Sequence, residues 1–303
     1  MKRDRILLTG AKGQLGETFS KSFKQSILSQ KYELLPIDLD GMNLLDKESM
    51  LRTLSELSPS VIVNCAAYTY VDKAEEEPEL SKRINDEAVQ ILARWADDRL
   101  CRLIQISTDY VFDGTAGRAY LPSDMPNPLG VYGKTKLAAE RHVSGMYSKQ
   151  GVVIRTSWLY SMFGNNFVKS MLRLMAERKE LSVVEDQIGS PTSANSLVKV
   201  LFAVLDHYKY SGIFHWTDGA NISWHDFALE IQSQAYNEGM LFRKIPIEAI
   251  KTSAYAAAAK RPMYSVLNRQ RTLEELFIEP SNWKIELGRV LKEISSSERN
   301  FYE

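Results

Sequence analysis

Short apolar runs alternate with longer amphipathic stretches through the first half of the chain. Each run is apolar on consecutive positions, which predicts strands buried on both faces of a sheet. These predicted strands span residues 5–9, 33–37, 61–64, 103–107 and 151–155. Between them, apolar residues recur at helical spacing. This pattern predicts helices over residues 15–24, 47–57, 80–97 and 132–147.

Alternating strands and helices imply right-handed crossovers and a parallel sheet. The predicted fold class is therefore α/β, a Rossmann-like doubly wound parallel sheet with a smaller C-terminal α/β substrate domain. After residue 155 the alternation loosens and aromatic residues become frequent. We expect residues 1–155 to form a dinucleotide-binding domain, to which 185–211 return, and residues 156–303 to be mainly substrate-binding.

Further elements follow from local signals in the sequence. Helices are predicted over 171–179, 193–208 and 223–237, and a short strand over 181–184. Residues 114–128 are rich in Gly, Pro, Ser and Asp, which predicts a loop before the helix at 132. The polar tail at 295–300 is expected to be frayed.

Charge and composition exclude several classes of partner. The 303 residues include 38 basic and 38 acidic side chains, so we expect no nucleic acid and no membrane surface as partner. The apolar run after the charged N-terminus leads into a glycine loop, which indicates a strand and not a signal peptide. Cys65 and Cys101 lie in apolar stretches and are expected to be buried free thiols of a cytoplasmic protein.

A glycine-rich loop follows the first predicted strand. Gly10, Gly13 and Gly16 are spaced to allow a tight turn, close approach to a pyrophosphate and close packing of the next helix. Asp38 ends the second strand 22 positions after Gly16, where an acid binds the adenosine ribose and usually favours NAD. Lys12 in the loop can offset a 2′-phosphate, so NADPH and NADH both remain open as cofactors.

A tyrosine and a lysine four residues apart begin the helix at residue 132. Tyr132 and Lys136 would lie on one helix face, where a nearby ammonium lowers the pKa of a phenol. Thr108 ends the preceding strand and can supply a second donor to a carbonyl oxygen. Tyr and Lys also meet at this spacing by chance, in an exposed helical turn. The glycine loop and the Thr-ended strand favour the catalytic interpretation.

Several motifs together resemble the extended short-chain dehydrogenase/reductase family. They cover most of the chain, from about residue 5 to residue 290. They lie at residues 10–16, 64–69, 71–75, 107–114, 132–136, 155–158, 165–167 and 186–192. The resemblance implies NAD(P)H-dependent reduction of the C4 ketone of dTDP-4-dehydro-β-L-rhamnose to dTDP-β-L-rhamnose, for a rhamnose-containing surface polysaccharide.

The resemblance also implies roles for individual residues. Tyr132 would be the proton donor, Lys136 would lower its pKa and hold the nicotinamide ribose, and Thr108 would bind the substrate oxygen. The implied cofactor contacts are Tyr132, Lys136, Gly10, Gly13, Gln14, Leu15, Gly16, Asp38, Asn43, Leu44, Ala67, Tyr68 and Thr69. The implied substrate contacts are Thr108, Asp109, Trp158, Asn165, Asn166 and Arg261. For Trp158 the alternative is core packing, and for Arg261 a surface ion pair.

The sequence departs from the family in ways that bear on metal binding and assembly. Some members are described as using glutamates at a dimer-bridging magnesium site, where this chain has Thr18 and Asn195. We therefore expect no metal, and either a monomer or a homodimer. Asn43 also replaces the acid that is more usual at its position.

Two other functions remain open at the level of the sequence. One is a different nucleotide-sugar enzyme on this scaffold, a 4-ketoreductase, an epimerase or a 4,6-dehydratase. Dehydratases of the family carry Glu where this chain has Tyr110, which argues against dehydration. The other is a non-catalytic, NADP-binding regulatory subunit of the methionine adenosyltransferase type.

Overall fold

Six parallel strands form the central sheet of the computed structural model, which describes residues 3–207 and 209–299. The strands of the described chain are Asp4–Thr9 (β1), Tyr32–Ile37 (β2), Val61–Asn64 (β3), Arg102–Thr108 (β4), Gly151–Thr156 (β5), Leu159–Tyr160 (β6), Leu181–Val184 (β7), Ile188–Gly189 (β8), Thr192–Ser193 (β9), Gly212–His215 (β10), Ile222–Ser223 (β11) and Ile247–Ile250 (β12).

Helices connect these strands, and some of them cover the large sheet. They are Gln14–Gln25 (α1), Leu28–Lys31 (α2), Lys47–Leu57 (α3), Val71–Glu76 (α4), Pro78–Lys82 (α5), Ala88–Asp98 (α6), Val131–Ser144 (α7), Phe167–Glu177 (α8), Ala194–Asp206 (α9), Trp224–Asn237 (α10), Gln270–Leu276 (α11) and Trp283–Arg299 (α12). A π-helical turn, Arg83–Glu87, joins α5 to α6.

The sheet order is β10-β5-β4-β3-β1-β2, and all five pairings are parallel. Successive side chains of a strand point to opposite faces, and both faces are covered by helices. One core joins Ile6 and Leu8 of β1 to α1 and α9, and the other joins Leu7 to α3, α6 and α7. The predicted fold class, a doubly wound α/β sheet, is confirmed.

A third core lies outside the sheet. It joins α8, α10 and α12 through buried residues such as Val168, Phe227 and Leu291, and it includes the parallel pair β7–β12. This region follows the predicted smaller α/β arrangement. The third core is separate because the buried faces of α8, α10 and α12 pack on one another and on the small sheet.

Several element boundaries differ from the sequence predictions. The predicted helix over 80–97 is divided at the π-helical turn, and the helix predicted to reach residue 147 ends at Ser144, before Gly145. The strand β10 and the helices α4, α11 and α12 were not predicted. Tyr208, at the end of the helix predicted over 193–208, lies outside the described residues.

The prediction of a frayed tail is wrong for residues 295–299. These residues continue α12 to Arg299, and Asn300 lies outside the described chain. Upstream in the same helix, Leu287, Val290 and Ile294 are buried in the third core, so the polar last turn extends a helix that packing already holds. None of the helices within the described residues is both long and apolar enough to cross a membrane.

Candidate active site

A cleft of about 970 Å³ crosses the carboxyl edge of the sheet and continues toward the third core. Parallel strands end together here: Thr9 of β1 pairs with Asn64 of β3, and Thr108 of β4 pairs with Thr156 of β5. Ligands of open α/β sheets bind in such a crevice. Of the predicted site residues, all but Tyr68 and Arg261 line this cleft.

One end of the cleft is built from the glycine loop. Gly10 has φ +64°, and a Cβ there would lie 2.7 Å from the Ala66 backbone nitrogen. A Cβ on Gly16 would lie 2.2 Å from the Gly10 carbonyl oxygen. Gly13 is the N-cap of α1 and makes no side-chain cap, so the first-turn N–H groups of this helix can bind an anion. The loop therefore fits a pyrophosphate.

Acidic and basic groups meet at the mouth of this end. The Asp38 carboxylate accepts hydrogen bonds from the Lys12 N–H at 2.9 Å and from the Leu39 N–H at 2.8 Å. The Lys12 ammonium forms an exposed ion pair with Asp40. An acid and a cation thus both stand where the adenosine ribose would lie, which leaves both forms of the nicotinamide cofactor chemically acceptable.

The strand ends beside the loop form the floor of the cleft. Ala67 and Thr69 line it, as do Asn43 and Leu44 nearer the mouth. These four residues stand where the resemblance implied cofactor contacts.

Tyr68, between Ala67 and Thr69, does not line the cleft: its hydroxyl donates a hydrogen bond to Glu77, and its cofactor contact stays a prediction. What holds this segment is Asn85, in the π-helical turn. Its carboxamide accepts from the Tyr68 N–H at 2.8 Å and donates to the Tyr68 carbonyl at 3.0 Å. Asn85 was not among the predicted site residues, because no motif in the sequence singles it out.

Three predicted catalytic residues meet at the other end. Tyr132 and Lys136 lie on the first two turns of α7, and Thr108 ends β4. The Tyr132 and Thr108 hydroxyls both line the cleft wall, and the Thr108 hydroxyl partly lowers the pKa of the phenol. The buried Lys136 ammonium donates to the Ile106 carbonyl at 2.6 Å. This arrangement places a phenol, a hydroxyl and an ammonium around one point of the cleft wall.

The expected lowering of the phenol pKa by Lys136 is wrong for this structure. Burial, and after it the Asp109 carboxyl, raises the pKa of Tyr132 to about 12. Burial also lowers the pKa of Lys136 to about 8, against the opposite effect of Glu140. Desolvation outweighs the pair interaction because both groups leave water and the ammonium is turned toward a strand carbonyl. Tyr132 is therefore a phenol that stays protonated at neutral pH.

Asp109 lies directly behind this group. Thr108 Oγ1 donates to Asp109 Oδ1 at 3.1 Å, and the carboxyl is 2% exposed. Burial raises the pKa of Asp109 to about 7. Among the described residues, no group forms a hydrogen bond with its Oδ2 atom. The Ser265 hydroxyl nevertheless lowers the pKa of this carboxyl in part.

A buried ion pair supports the catalytic end from beneath. The Arg155 guanidinium binds Glu140 at 2.8 and 2.7 Å, and both side chains are almost completely buried. Ser107 donates to the same carboxylate. Glu140 lies one turn after Lys136 on α7, so this pair fixes the helix that carries Tyr132 against β4 and β5. The i, i+4 spacing of Lys136 and Glu140 is a signal the sequence analysis did not use.

An aromatic stack closes the far wall. Trp158 lies 3.6 Å, centroid to centroid, from Trp224 with the rings 13° apart, and both line the cleft. Trp158 has φ +48°, and a Cβ on Gly189 would lie 2.6 Å from its ring. Trp158 thus both packs on the third core and faces the cleft. Trp224 was missed, although it follows Ser223 in a capping box that the sequence shows.

The remaining predicted substrate contacts are placed differently from one another. Asn165 is exposed at the rim of the cleft. The Asn166 side chain caps α8 and donates to Gln14 Oε1 at 3.0 Å, which ties the third core to the glycine loop. Arg261 lies outside the cleft wall in a bidentate ion pair with Asp72, at 2.6 and 3.1 Å. This position matches the alternative given for Arg261, an ion pair.

Two expectations about cysteines and metals can be compared with the site. Cys101 is buried as predicted, but Cys65 is only half-buried and lines the cleft, because β3 ends just before it.

Across residues 3–207 and 209–299, no group of three His, Cys, Asp or Glu side chains could hold a metal ion. Thr18 donates to the Gln14 carbonyl and Asn195 to Glu293.

Several known proteins are similar to this chain over most of its length. The family model described as RmlD substrate binding domain matches residues 4–296. A dTDP-4-dehydrorhamnose reductase of Aggregatibacter actinomycetemcomitans is 38% identical over 96% of this chain and 98% of that protein. The Salmonella typhimurium strain LT2 enzyme of that name is 36% identical over 95% and 97%.

A solved structure is similar over the same length. The crystal structure of dTDP-4-dehydrorhamnose reductase from Bacillus anthracis in complex with NADP has a TM-score of 0.88 and 34% identity, and the match covers 96% of this chain and all of that one. The chain therefore belongs to the RmlD substrate binding domain family, that of the dTDP-4-dehydrorhamnose reductases within the extended short-chain dehydrogenases/reductases.

Proposed function

We propose that this protein reduces the C4 ketone of dTDP-4-dehydro-β-L-rhamnose to the alcohol of dTDP-β-L-rhamnose, with NADPH or NADH as the reductant. The observation that carries the proposal is the convergence of Tyr132, Thr108 and Lys136 at one end of a cleft whose other end is a phosphate-binding loop. The names of full-length relatives more than 30% identical, and the NADP bound in one similar structure, support the substrate and the cofactor.

The cofactor would lie along the cleft. The first-turn N–H groups of α1 would hold its pyrophosphate, Asp38 and Lys12 would meet the adenosine ribose, and Ala67 and Thr69 would line its path. Asn43 and Leu44 would contact the adenine. When bound, the nicotinamide supplies the hydride. The first-turn N–H groups are uncapped by any side chain, which suits a bound phosphate oxygen.

Side chains of this protein would supply the proton that the ketone oxygen takes up. Tyr132, which the raised pKa keeps in its phenol form, donates to the ketone oxygen as negative charge develops there. Thr108 orients that oxygen through its hydroxyl. Lys136 holds the nicotinamide ribose and stabilises the phenolate that donation leaves. The buried ion pair of Glu140 and Arg155 holds the helix that carries Tyr132 and Lys136 in position.

The sugar and the nucleotide would lie toward the third core. Trp158 and Asp109 would contact the deoxysugar, and Asn165 and Asn166 the nucleotide diphosphate, since all four line the cleft. Arg261 would act from the rim if its pair with Asp72 opens. We also propose the division into a dinucleotide-binding domain at 1–155 with 185–211, and a mainly substrate-binding domain at 156–303. The packing of α9 on α1 supports the assignment of residues 185–211 to the dinucleotide-binding domain.

The direct test is a reconstituted reaction. The protein is incubated with dTDP-glucose, the upstream dehydratase and epimerase, and either NADPH or NADH, and the product sugar is identified by NMR. We expect cofactor oxidation only when all components are present, with dTDP-β-L-rhamnose as product. A product with the opposite configuration at C4 would indicate a related reductase instead. No oxidation with either cofactor would refute the proposal.

Two other candidate functions are weaker. Tyr110 stands where a dehydratase needs an acid, and its ring contacts Tyr132 edge-on at 6.0 Å, so no second carboxylate occupies that position. A regulatory subunit would not need Tyr132, Thr108 and Lys136 to converge at one end of the cleft. Capture of a methionine adenosyltransferase by the protein, without reductase activity on any dTDP-sugar, would favour that role. We further propose a cytoplasmic monomer or homodimer, acting on a small-molecule substrate.

A further inference from the structure

A second cavity, of about 650 Å³, lies between α3 and α6 and contains none of the catalytic residues. We call it the α3–α6 cavity. Its apolar lining includes Leu51 of α3 and Ile91 and Trp95 of α6. Leu44 and Leu45 line both this cavity and the cleft, so the two share a wall. A concave site of this size with an apolar lining suits a small organic molecule.

Positive side chains outnumber negative ones in the α3–α6 cavity. The charged lining residues are Lys47, Arg83, Arg94, Arg99, Glu87 and Asp98. The Glu87 carboxylate is already paired, at 3.2 Å, with Lys82, which lies outside the lining. Lys47, Arg94 and Arg99 form no ion pair with any residue that the structure describes. The cavity therefore offers several uncompensated positive charges to an anion.

The mixture of cations and apolar groups indicates which anion fits. Guanidinium groups bind phosphate oxygens through paired N–H donors. The Arg99 guanidinium lies 4.6 Å from the centre of the Trp95 ring, which keeps it beside the apolar lining. The Gln90 carboxamide also lines the cavity and forms no hydrogen bond within the described chain, so it can bind the edge of a base. Inorganic phosphate alone would leave the apolar lining uncovered, whereas a nucleoside diphosphate would cover it.

Arg83 connects the α3–α6 cavity to the cofactor end of the cleft. It begins the π-helical turn, lines the cavity and donates to the Leu45 carbonyl at 2.8 Å. Leu45 follows Leu44, for which the family resemblance implied an adenine contact. In the same turn Asn85 holds the Tyr68 backbone at 2.8 and 3.0 Å, next to residues that line the cleft. Turns of this kind often occur at functional sites.

We propose that the α3–α6 cavity is a second binding site, for a nucleoside diphosphate, and that its occupation weakens cofactor binding. The diphosphate binds Arg83, Arg94 and Arg99, and the base lies against the apolar lining. Arg83 then leaves the Leu45 carbonyl, and the segment beside the adenine loses a hydrogen bond. The effect on the cofactor rests on the proposed function, whereas the second site does not. dTDP, the nucleotide part of the proposed substrate, belongs to this class of ligand.

The first test counts binding sites by equilibrium dialysis with radiolabelled dTDP. NADPH is present at saturation, so that the glycine loop is occupied. We expect two dTDP per chain for the wild-type protein, one in the cleft and one in the α3–α6 cavity. Arg94→Glu should bind one fewer than wild type. Arg52→Glu, at an exposed position of α3 outside the cavity lining, is the control and should bind as many as wild type. Unchanged urea-unfolding midpoints confirm that both variants are folded.

Competition shows which part of the ligand the cavity recognises. Inorganic pyrophosphate should displace the dTDP that Arg94→Glu fails to bind, but with at least about tenfold lower affinity than dTDP itself, because it makes no contact with the apolar lining. Thymidine, which has no phosphate, should not displace it. Equal affinities for pyrophosphate and dTDP would overturn the assignment of the apolar lining to a nucleoside. Displacement by thymidine would overturn the role of the cations.

The second test measures the coupling to the cofactor. The Kd for NADPH is determined by nicotinamide fluorescence with and without saturating dTDP. The ratio of the two values should be at least about fivefold larger for wild type than for Arg94→Glu. Because dTDP in the cleft affects both proteins alike, this difference reports the α3–α6 cavity alone. Equal ratios would overturn the coupling.

The outcomes separate this site from the proposed function. If wild type binds one dTDP and Arg94→Glu binds none, the second site is supported and the proposed nucleotide site in the cleft is refuted. If wild type and Arg94→Glu bind the same number, the second site is overturned, whether or not the enzyme reduces the dTDP-sugar.

Discussion

The two ends of the cleft are built in different ways. The glycine-loop end is made of backbone: the uncapped N–H groups of α1 and three glycines, two of which, Gly10 and Gly16, leave no room for a Cβ. The catalytic end is made of buried side chains that share hydrogen bonds, with Lys136 and Asp109 each 3% exposed or less. The glycine-loop end would bind the negative charge of a phosphate, whereas the catalytic end shields ionisable side chains of the protein from water. Substitutions should therefore affect binding at one end and chemistry or pH dependence at the other.

The largest expected effect is on catalysis at the buried end. Tyr132→Phe removes the acid but keeps the ring, so we expect the kcat of ketone reduction to fall about 10³-fold or more. The Kd for NADPH, measured by fluorescence titration, should change less than about threefold. Tyr147→Phe, at an exposed position, is the control and should behave as wild type. Appreciable turnover by Tyr132→Phe would remove the phenol from the mechanism.

The buried ammonium should cost stability at neutral pH. The folded pKa of Lys136, about 8, lies below the ordinary 10.5. Between these values the unfolded chain binds more protons, so this group makes stability rise with pH from about 8 to 10.5. Its cost below pH 8 is about 3 kcal/mol.

The test compares two lysines of one helix. Lys136→Met should be inactive but more stable than wild type at pH 7 in urea unfolding, and this gain should shrink toward pH 10. Lys134→Met, which replaces an exposed lysine of α7, should change stability little at either pH. A Lys136→Met protein less stable than wild type at pH 7 would show that the bond to Ile106 outweighs desolvation.

The backbone end should respond to a single methyl group. In Gly16→Ala the Cβ would meet the Gly10 carbonyl oxygen at 2.2 Å, so the loop must move. We expect the free energy of unfolding to fall by about 1–3 kcal/mol and the Kd for NADPH to rise. In Gly145→Ala the nearest atom would be the Arg141 carbonyl oxygen at 3.1 Å, far from the cleft, so the Kd should stay unchanged. Equal NADPH affinities in both variants would contradict this account of the loop.

The smallest effect is expected at the aromatic wall. Trp224→Ala removes the ring that stacks on Trp158, and we expect the KM for the dTDP-sugar to rise up to roughly tenfold with kcat within a few-fold. Trp224→Phe should restore most of this loss. Trp283→Ala provides the control, because Trp283 packs on Phe227 in the same core without lining the cleft. A KM equally raised by Trp283→Ala would indicate a general loosening of the core.

The sequence by itself determined the parallel sheet and the backbone end of the cleft. Buried parallel strands are continuous apolar runs, and a loop that binds phosphate through N–H groups requires glycine at fixed spacing, so both are readable from local pattern. It also placed Tyr132, Lys136 and Thr108 in order, since strand ends and the start of the next helix meet at one sheet edge.

Only the tertiary structure decided how these side chains behave. Whether a phenol pKa rises or falls depends on the balance of desolvation and charge, and every group in that balance comes from a different segment. The sequence favours a lowered pKa for Tyr132 because the spacing shows one neighbour and does not show burial. Asn85 and Trp224 were not predicted because their partners, Tyr68 and Trp158, lie far away along the chain. Glu140 differs, because its i, i+4 spacing from Lys136 is visible in the sequence.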